Sequence, residues 1–186
     1  MEIIASAIWR RVDTPGHDAC WLLRDERGWM LDGAAIFKHA AGPARLAYRI
    51  QCDTEWRTLS GMVLGYIGNH PVSFNIARLA SDWTLNGTVV RGLDQLDDLD
   101  LSFTPATNLL QLRRQDVPFG KSVSIPVAWL DIDTGALTNL PQIYERCGTS
   151  TFWYRAPTTG YEGMLELAPN GFVQNYPELW KGENAT

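Results

Sequence analysis

The chain has 186 residues, 45% hydrophobic and 20% charged, with a formal net charge of −5 and a pI near 5.1. That is enough apolar material for a folded core without disulfide or metal staples, and it excludes a disordered chain. The acidic balance counts against nucleic acid and anionic membrane surfaces as partners, since both call for a basic surface.

The elements are taken in chain order. The apolar run Ile3–Trp9 is too short for a signal peptide, and Arg10 and Arg11 follow it where they should precede it. No later segment reaches transmembrane length, so the expected compartment is the cytoplasm. Glu26-Arg27-Gly28 and Asp32-Gly33 are turn signals. The run Arg45–Asp53 alternates clearly: Leu46, Tyr48, Ile50 and Cys52 share one face, while Arg45, Arg49, Gln51 and Asp53 share the other. Asn69-His70-Pro71 is a further turn signal, followed by Val72, Phe74 and Ile76 alternating with Ser73 and Asn75. Asn86-Gly87 is a hairpin signal. The segment Gly92–Asn108 is acidic, then loop-like, and reads as the break between two sheet-forming halves. A short helical turn is expected near Pro105–Leu110, with Thr104 as its cap. Asp133-Thr134-Gly135 and Pro169-Asn170-Gly171 mark turns around the alternating run Tyr161–Leu167, and Lys181–Thr186 reads as a polar, frayed tail. Short alternating runs between regular turns predict an all-β, mainly antiparallel fold over residues 1–180, of roll, barrel or sandwich type.

The sequence carries no GxSxG, Walker, GxGxxG, HExxH or EF-hand pattern. His17, His39 and His70 each lie near a turn and read as ordinary surface or edge residues. The three cysteines, Cys20, Cys52 and Cys147, have no CxxC spacing and read as buried thiols. Neither a metal nor another cofactor is expected, and nothing in the motifs argues for an enzyme.

Four carboxylates crowd into Asp94–Asp100. A solvated loop is the favoured reading. A cation site matches no calcium-loop spacing. The third reading is an ion-pair network with Arg91, Arg113 and Arg114. Thr104, Thr107 and Asn108 offer hydroxyls and an amide, suited to capping turns and also to binding sugars or head groups. Eight Trp, six Tyr and six Phe exceed what a core of this size needs. Trp56 and Trp83 are the candidates for stacking on a ligand; Trp9, Trp21, Trp29, Trp129 and Trp153 lie in strand-like runs and are assigned to the core.

Three blocks taken together resemble one family. They are Leu46–Arg57; Asp82-Trp83 with Asn86-Gly87 and Gly92-Leu93; and Asp98–Ser102 with Thr104–Asn108 and Leu112-Arg113-Arg114. Tyr144, Tyr154, Gly171-Phe172-Val173 and Tyr176-Pro177 fit its C-terminal pattern. The family is the putative glycolipid-binding one, formerly a domain of unknown function. The resemblance spans roughly residues 6–180 and implies a large curved antiparallel sheet, a spiral β-roll similar to bacterial lipoprotein carriers. One departure is local: Gln111 stands before the Leu112-Arg113-Arg114 run, where members commonly carry Pro.

The resemblance implies a non-enzymatic binder of a lipid or glycolipid on a concave apolar face. The candidate ligand-binding residues are Trp56, Arg57, Trp83, Asp98, Asp100, Thr107, Asn108, Arg113 and Arg114. The alternative is an interaction or scaffold module that uses open sheet edges, a homodimer among the options. A third reading makes Asp98 and Asp100, about 6.6–7 Å apart on one strand face, the acid and base of an inverting glycolipid hydrolase.

Overall fold

A computed structural model describes residues 1–183; the tail residues 184–186 lie outside it. The N-terminal half is an antiparallel meander. Its strands are β1 (Glu2–Arg11), β2 (Gly16–Asp25), β3 (Gly28–His39), β4 (Gly42–Cys52), β5 (Thr58–Ile67), β6 (His70–Leu79), β7 (Asp82–Leu85) and β8 (Thr88–Val90). The chain then crosses the inner face of this meander as β9 (Leu99–Leu101) and α1 (Asn108–Arg114), the one α-helix among the described residues. The C-terminal strands are β10 (Ser122–Ser124), β11 (Val127–Asp131), β12 (Ala136–Leu140), β13 (Ile143–Arg146), β14 (Thr151–Ala156), β15 (Tyr161–Leu167), β16 (Val173–Tyr176) and β17 (Trp180–Gly182). Fourteen of the strands form one curved antiparallel sheet, ordered β10-β13-β14-β15-β16-β17-β1-β2-β3-β4-β5-β6-β7-β8 and not closed into a barrel. The two ends of the chain meet inside it, where β17 pairs with β1. The all-β expectation holds.

Period-2 patterning builds the long strands. In β4 the side chains of Ala44, Leu46, Tyr48, Ile50 and Cys52 are buried, while Arg45, Ala47 and Arg49 are exposed. Asn86 and Gly87 both take positive φ (50° and 80°), as a two-residue hairpin between β7 and β8 requires. Asp32-Gly33, expected as a turn, lies inside β3 instead. Gly33 sits opposite Tyr48, and a Cβ there would collide with the Tyr48 ring. The glycine makes room for an aromatic, not for a bend.

β9, β11 and β12 form a separate three-stranded sheet, in which β9 and β11 run parallel. It divides two cores. Along β11, Ala128 and Leu130 face the first core, with Leu46, Ile50, Leu99 and Leu101. Val127 and Trp129 face the second, with Tyr144, Phe152, Tyr154 and Leu165. The concave face anticipated as an open lipid surface is therefore largely filled, by Leu93, Leu96, Leu99, Phe103, Leu109 and Leu110. Burying a side chain of this size contributes about 1.5–3 kcal/mol, so the packed face is the stable state.

Other expectations need correction. The helix runs over Asn108–Arg114, later than Pro105–Leu110, and Thr107 at its start makes no side-chain cap bond. The Thr104 hydroxyl accepts instead from the Ala106 N–H. Lys181 and Gly182, assigned to the tail, are strand residues paired with Arg10 and Trp9. Cys147 is exposed, because its strand ends at Arg146. Trp21, assigned to the core, is 44% exposed: its register partner is Ser6, on the outer face of the sheet.

Candidate functional site

Strand β9 sets the geometry. Leu99 and Leu101 point into the first core, so Asp100 points to the other side. The parallel register puts Trp129 of β11 beside it. Asp100 accepts a hydrogen bond from the Thr107 hydroxyl at 2.8 Å and one from Gln142 Nε2 at 2.5 Å. Gln142 Oε1 accepts in turn from the Tyr144 hydroxyl at 3.1 Å, and Asn108 Nδ2 donates to that same hydroxyl at 2.8 Å. Thr107 and Asn108 arrive together because they open α1. The result is a connected buried network running Thr107–Asp100–Gln142–Tyr144–Asn108.

A cavity of about 290 Å3 borders this network. Asp100 and Asn108 line it on one side, and Trp129, Tyr154, Tyr161 and Tyr176 supply aromatic faces. The three tyrosines pack on one another with ring centroids 5.0–5.9 Å apart, and the Tyr161 hydroxyl donates to Pro177 O at 2.7 Å. Burial pushes the Asp100 carboxyl up to about 6, against the pull of its Thr107 and Gln142 bonds. Burial also holds the Tyr144, Tyr154 and Tyr176 hydroxyls well above the ordinary phenol range.

The other candidates lie elsewhere. Asp98 is fully buried and grips Arg114, whose Nη2 and Nε donate to it at 2.6 and 3.0 Å. Burial raises the Asp98 carboxyl against the opposing pull of that guanidinium. Asp97 takes Arg78 Nη2 at 2.6 Å, with Arg57 Nε at 3.8 Å and Arg114 Nη1 at 3.6 Å. The acidic segment thus forms ion pairs at Asp97 and Asp98, but of the expected arginines only Arg114 takes part: Arg78 and Arg57 supply the others, Arg113 bonds Asn170 O, and Arg91 and Asp94 stay exposed. Arg57 also pairs with Glu55 at the rim of the cluster. Trp83 is fully buried, and its Nε1 donates to Leu96 O at 3.1 Å. Trp56 stacks on Trp29 with centroids 4.1 Å apart and 16° between planes, and Arg113 stands over Trp56 at 5.9 Å.

Of the nine candidates, the fold joins Asp100, Thr107 and Asn108 in one network, with Asp100 and Asn108 lining the cavity, and buries Trp83 apart from them. It places Asp98, Arg114 and Arg57 in an ion-pair cluster, and Trp56 and Arg113 in a surface stack. Asp98 and Asp100 do not present a free carboxylate pair, because Arg114 occupies the first. The sequence did not single out Gln142 for the network, nor Trp129 or Tyr161 for the cavity. Gln142 and Tyr144 carried a faint signal: two polar-headed side chains at i and i+2 in a strand-like run must share a face.

Among the described residues no group of His, Cys, Asp and Glu is placed to hold a metal ion, and no helix is long and apolar enough to cross a membrane. The chain matches a family model described as "Putative glycolipid-binding" over residues 6–182. No curated protein matches it. The crystal structure of a DUF1089 family protein from Pseudomonas aeruginosa is similar, with a TM-score of 0.77 at 19% identity over 89% of this chain and 91% of that one. At that identity the likeness speaks for the fold.

Proposed function

The chain belongs to this glycolipid-binding family, and we propose that it binds an amphiphile by taking the sugar head group into the cavity beside Asp100. The observation that carries the reading is the pairing of aromatic faces with a carboxylate and an amide in one pocket. A sugar ring offers apolar C–H faces and a rim of hydroxyls. Tyr154, Tyr161, Tyr176 and Trp129 suit the former; Asp100 and Asn108 suit the latter. The volume, about 290 Å3, is at the small end of ligand sites and suits a head group better than a whole lipid. The filled concave face agrees with this, since Leu99, Phe103, Leu109 and Leu110 already occupy it. The engagement of Asp98 by Arg114 favours binding over hydrolysis by a carboxylate pair.

Calorimetric titration with octyl β-glucoside below its micelle concentration, alongside octanoate, tests the proposal. Saturable binding of the glucoside and not of octanoate is expected, weakened about tenfold in Asn108→Ala, the loss of one or two buried hydrogen bonds. No glucoside binding, or equal binding to the Asn108→Ala protein, would overturn it.

A further inference from the structure

Asp100 differs from Asp98, two residues earlier, in one respect that bears on the ligand. Asp98 has a guanidinium; among the described residues no Arg, Lys or His side chain forms an ion pair with Asp100. Its protein donors are all neutral: the Thr107 hydroxyl, the Gln142 amide and a backbone N–H of Leu101. A carboxylate offers about four lone-pair sites, so acceptor capacity remains. Asp100 also keeps 7% of its surface, and it lines the cavity.

Asp18 makes the comparison sharper. It too is a buried carboxylate without a cation, bonded to Tyr48 and Thr104. But Asp18 is 0% exposed and does not border the cavity that Asp100 lines. Asp100 alone of the two opens on a space that a ligand can enter. A buried carboxylate without a counter-ion is costly, and a cationic partner entering from the cavity offsets that cost. The surrounding aromatic faces favour a cation as well, through the negative potential over each ring.

Resting on the head-group reading above, we infer that the preferred head group is an amino sugar, with its ammonium group on Asp100 and its ring among Tyr154, Tyr161, Tyr176 and Trp129. Asn108 and Ser102, which also line the cavity, are placed to meet the remaining hydroxyls. Such a head group differs from a neutral sugar by one substituent. The discrimination therefore falls on one carboxylate.

The test compares octyl β-glucoside with octyl 2-amino-2-deoxy-β-glucoside at pH 7 by calorimetry. The tail and ring are the same, so the amine is the only variable. The aminoglucoside is expected to bind at least tenfold more tightly, the scale of a buried charge-assisted hydrogen bond. Asp100→Asn should reduce that preference below about threefold. The surface variant Asp82→Asn, which removes one negative charge away from the cavity, should leave it intact. Equal affinities in the wild-type protein would overturn the amino-sugar inference while upholding the sugar pocket. Binding of neither glycoside would overturn both. A preference that persists in Asp100→Asn, or that falls equally in Asp82→Asn, would trace it to net charge and overturn the inference. If Asp100→Asn folds poorly, equal wild-type affinities still overturn the inference, and a wild-type preference that survives high salt, which screens net surface charge far more than a buried pair, upholds it.

Discussion

Asp18 sits on β2 facing inward, between its strand neighbours' inward positions and Cys20. The Tyr48 hydroxyl donates to it at 3.0 Å, and Thr104 bonds it from the far side of the core. Burial raises its carboxyl from 3.8 to about 7, outweighing the Thr104 and Tyr48 bonds that pull it down. The folded protein therefore keeps a proton that the unfolded chain releases. Stability must fall as pH rises from about 4 to about 7, and the penalty is fully present above that window. At about 1.4 kcal/mol per unit, the loss is on the order of 4 kcal/mol. Asp100 acts in the same direction, up to about 6. Asp18→Asn removes one of these titrations while keeping size and hydrogen-bonding capacity. Urea unfolding at pH 4 and pH 7 should show wild type losing several kcal/mol relative to Asp18→Asn across that interval. A difference between the two proteins that does not change with pH would refute this. None of it was legible in the sequence. Asp18 belongs to none of the motifs, and Thr104, which completes its shell, lies 86 positions away.

Helix α1 is weak on local grounds. It has seven residues, no side-chain cap bond and no acidic residue in its first turn. Isolated helices this short do not persist in water. Arg113 and Arg114 in the last turn complement the helix dipole, and Leu109 and Leu110 are buried in the first core. The stronger anchor is Arg114 on Asp98, which ties α1 to the start of β9. Arg114→Leu leaves Asp98 buried and without its cation, so a loss of about 3–5 kcal/mol is expected. Adding Asp98→Asn should recover most of it, and Arg113→Leu alone should cost about 1 kcal/mol or less, since Arg113 is held by Asn170 O at the surface. Additive losses in the double variant would show that the ion pair is not the anchor. This element also explains why the acidic run was misread. Asp98-Leu99-Asp100-Leu101 alternates as a strand with one face in water would. But β9 lies between two cores, and its polar face meets Arg114 on one residue and Thr107 and Gln142 on the next. The rule that alternation means solvent fails for a strand covered on both sides.

At the scale of the molecule, the meander was legible because each hairpin writes its own alternation and turn, as β4 and the Asn86-Gly87 hairpin show. The joining of the two halves was not, because it rests on contacts between the ends of the chain. Among the described residues three register pairs link β1 to β17: Trp9 with Gly182, Arg10 with Lys181 and Arg11 with Trp180. Trp9 reinforces this seam. It is 1% exposed, its Nε1 donates to Val173 O at 2.5 Å, and its ring meets Phe172 edge-on at 5.4 Å. Its backbone belongs to the N-terminal half, and its side chain is held by the strand and loop of the C-terminal half. Replacing it with Ala removes a fully buried indole and a buried hydrogen bond, so a loss of about 3–5 kcal/mol is expected. The distribution of that loss is the more telling result. Hydrogen exchange in Trp9→Ala should speed up in β16 and β17 as well as in β1, while the β5–β6 pairing, four strands along the sheet from β1, keeps its protection. Acceleration confined to β1 would mean that the halves hold together through the β9–β11–β12 divider and not through the seam.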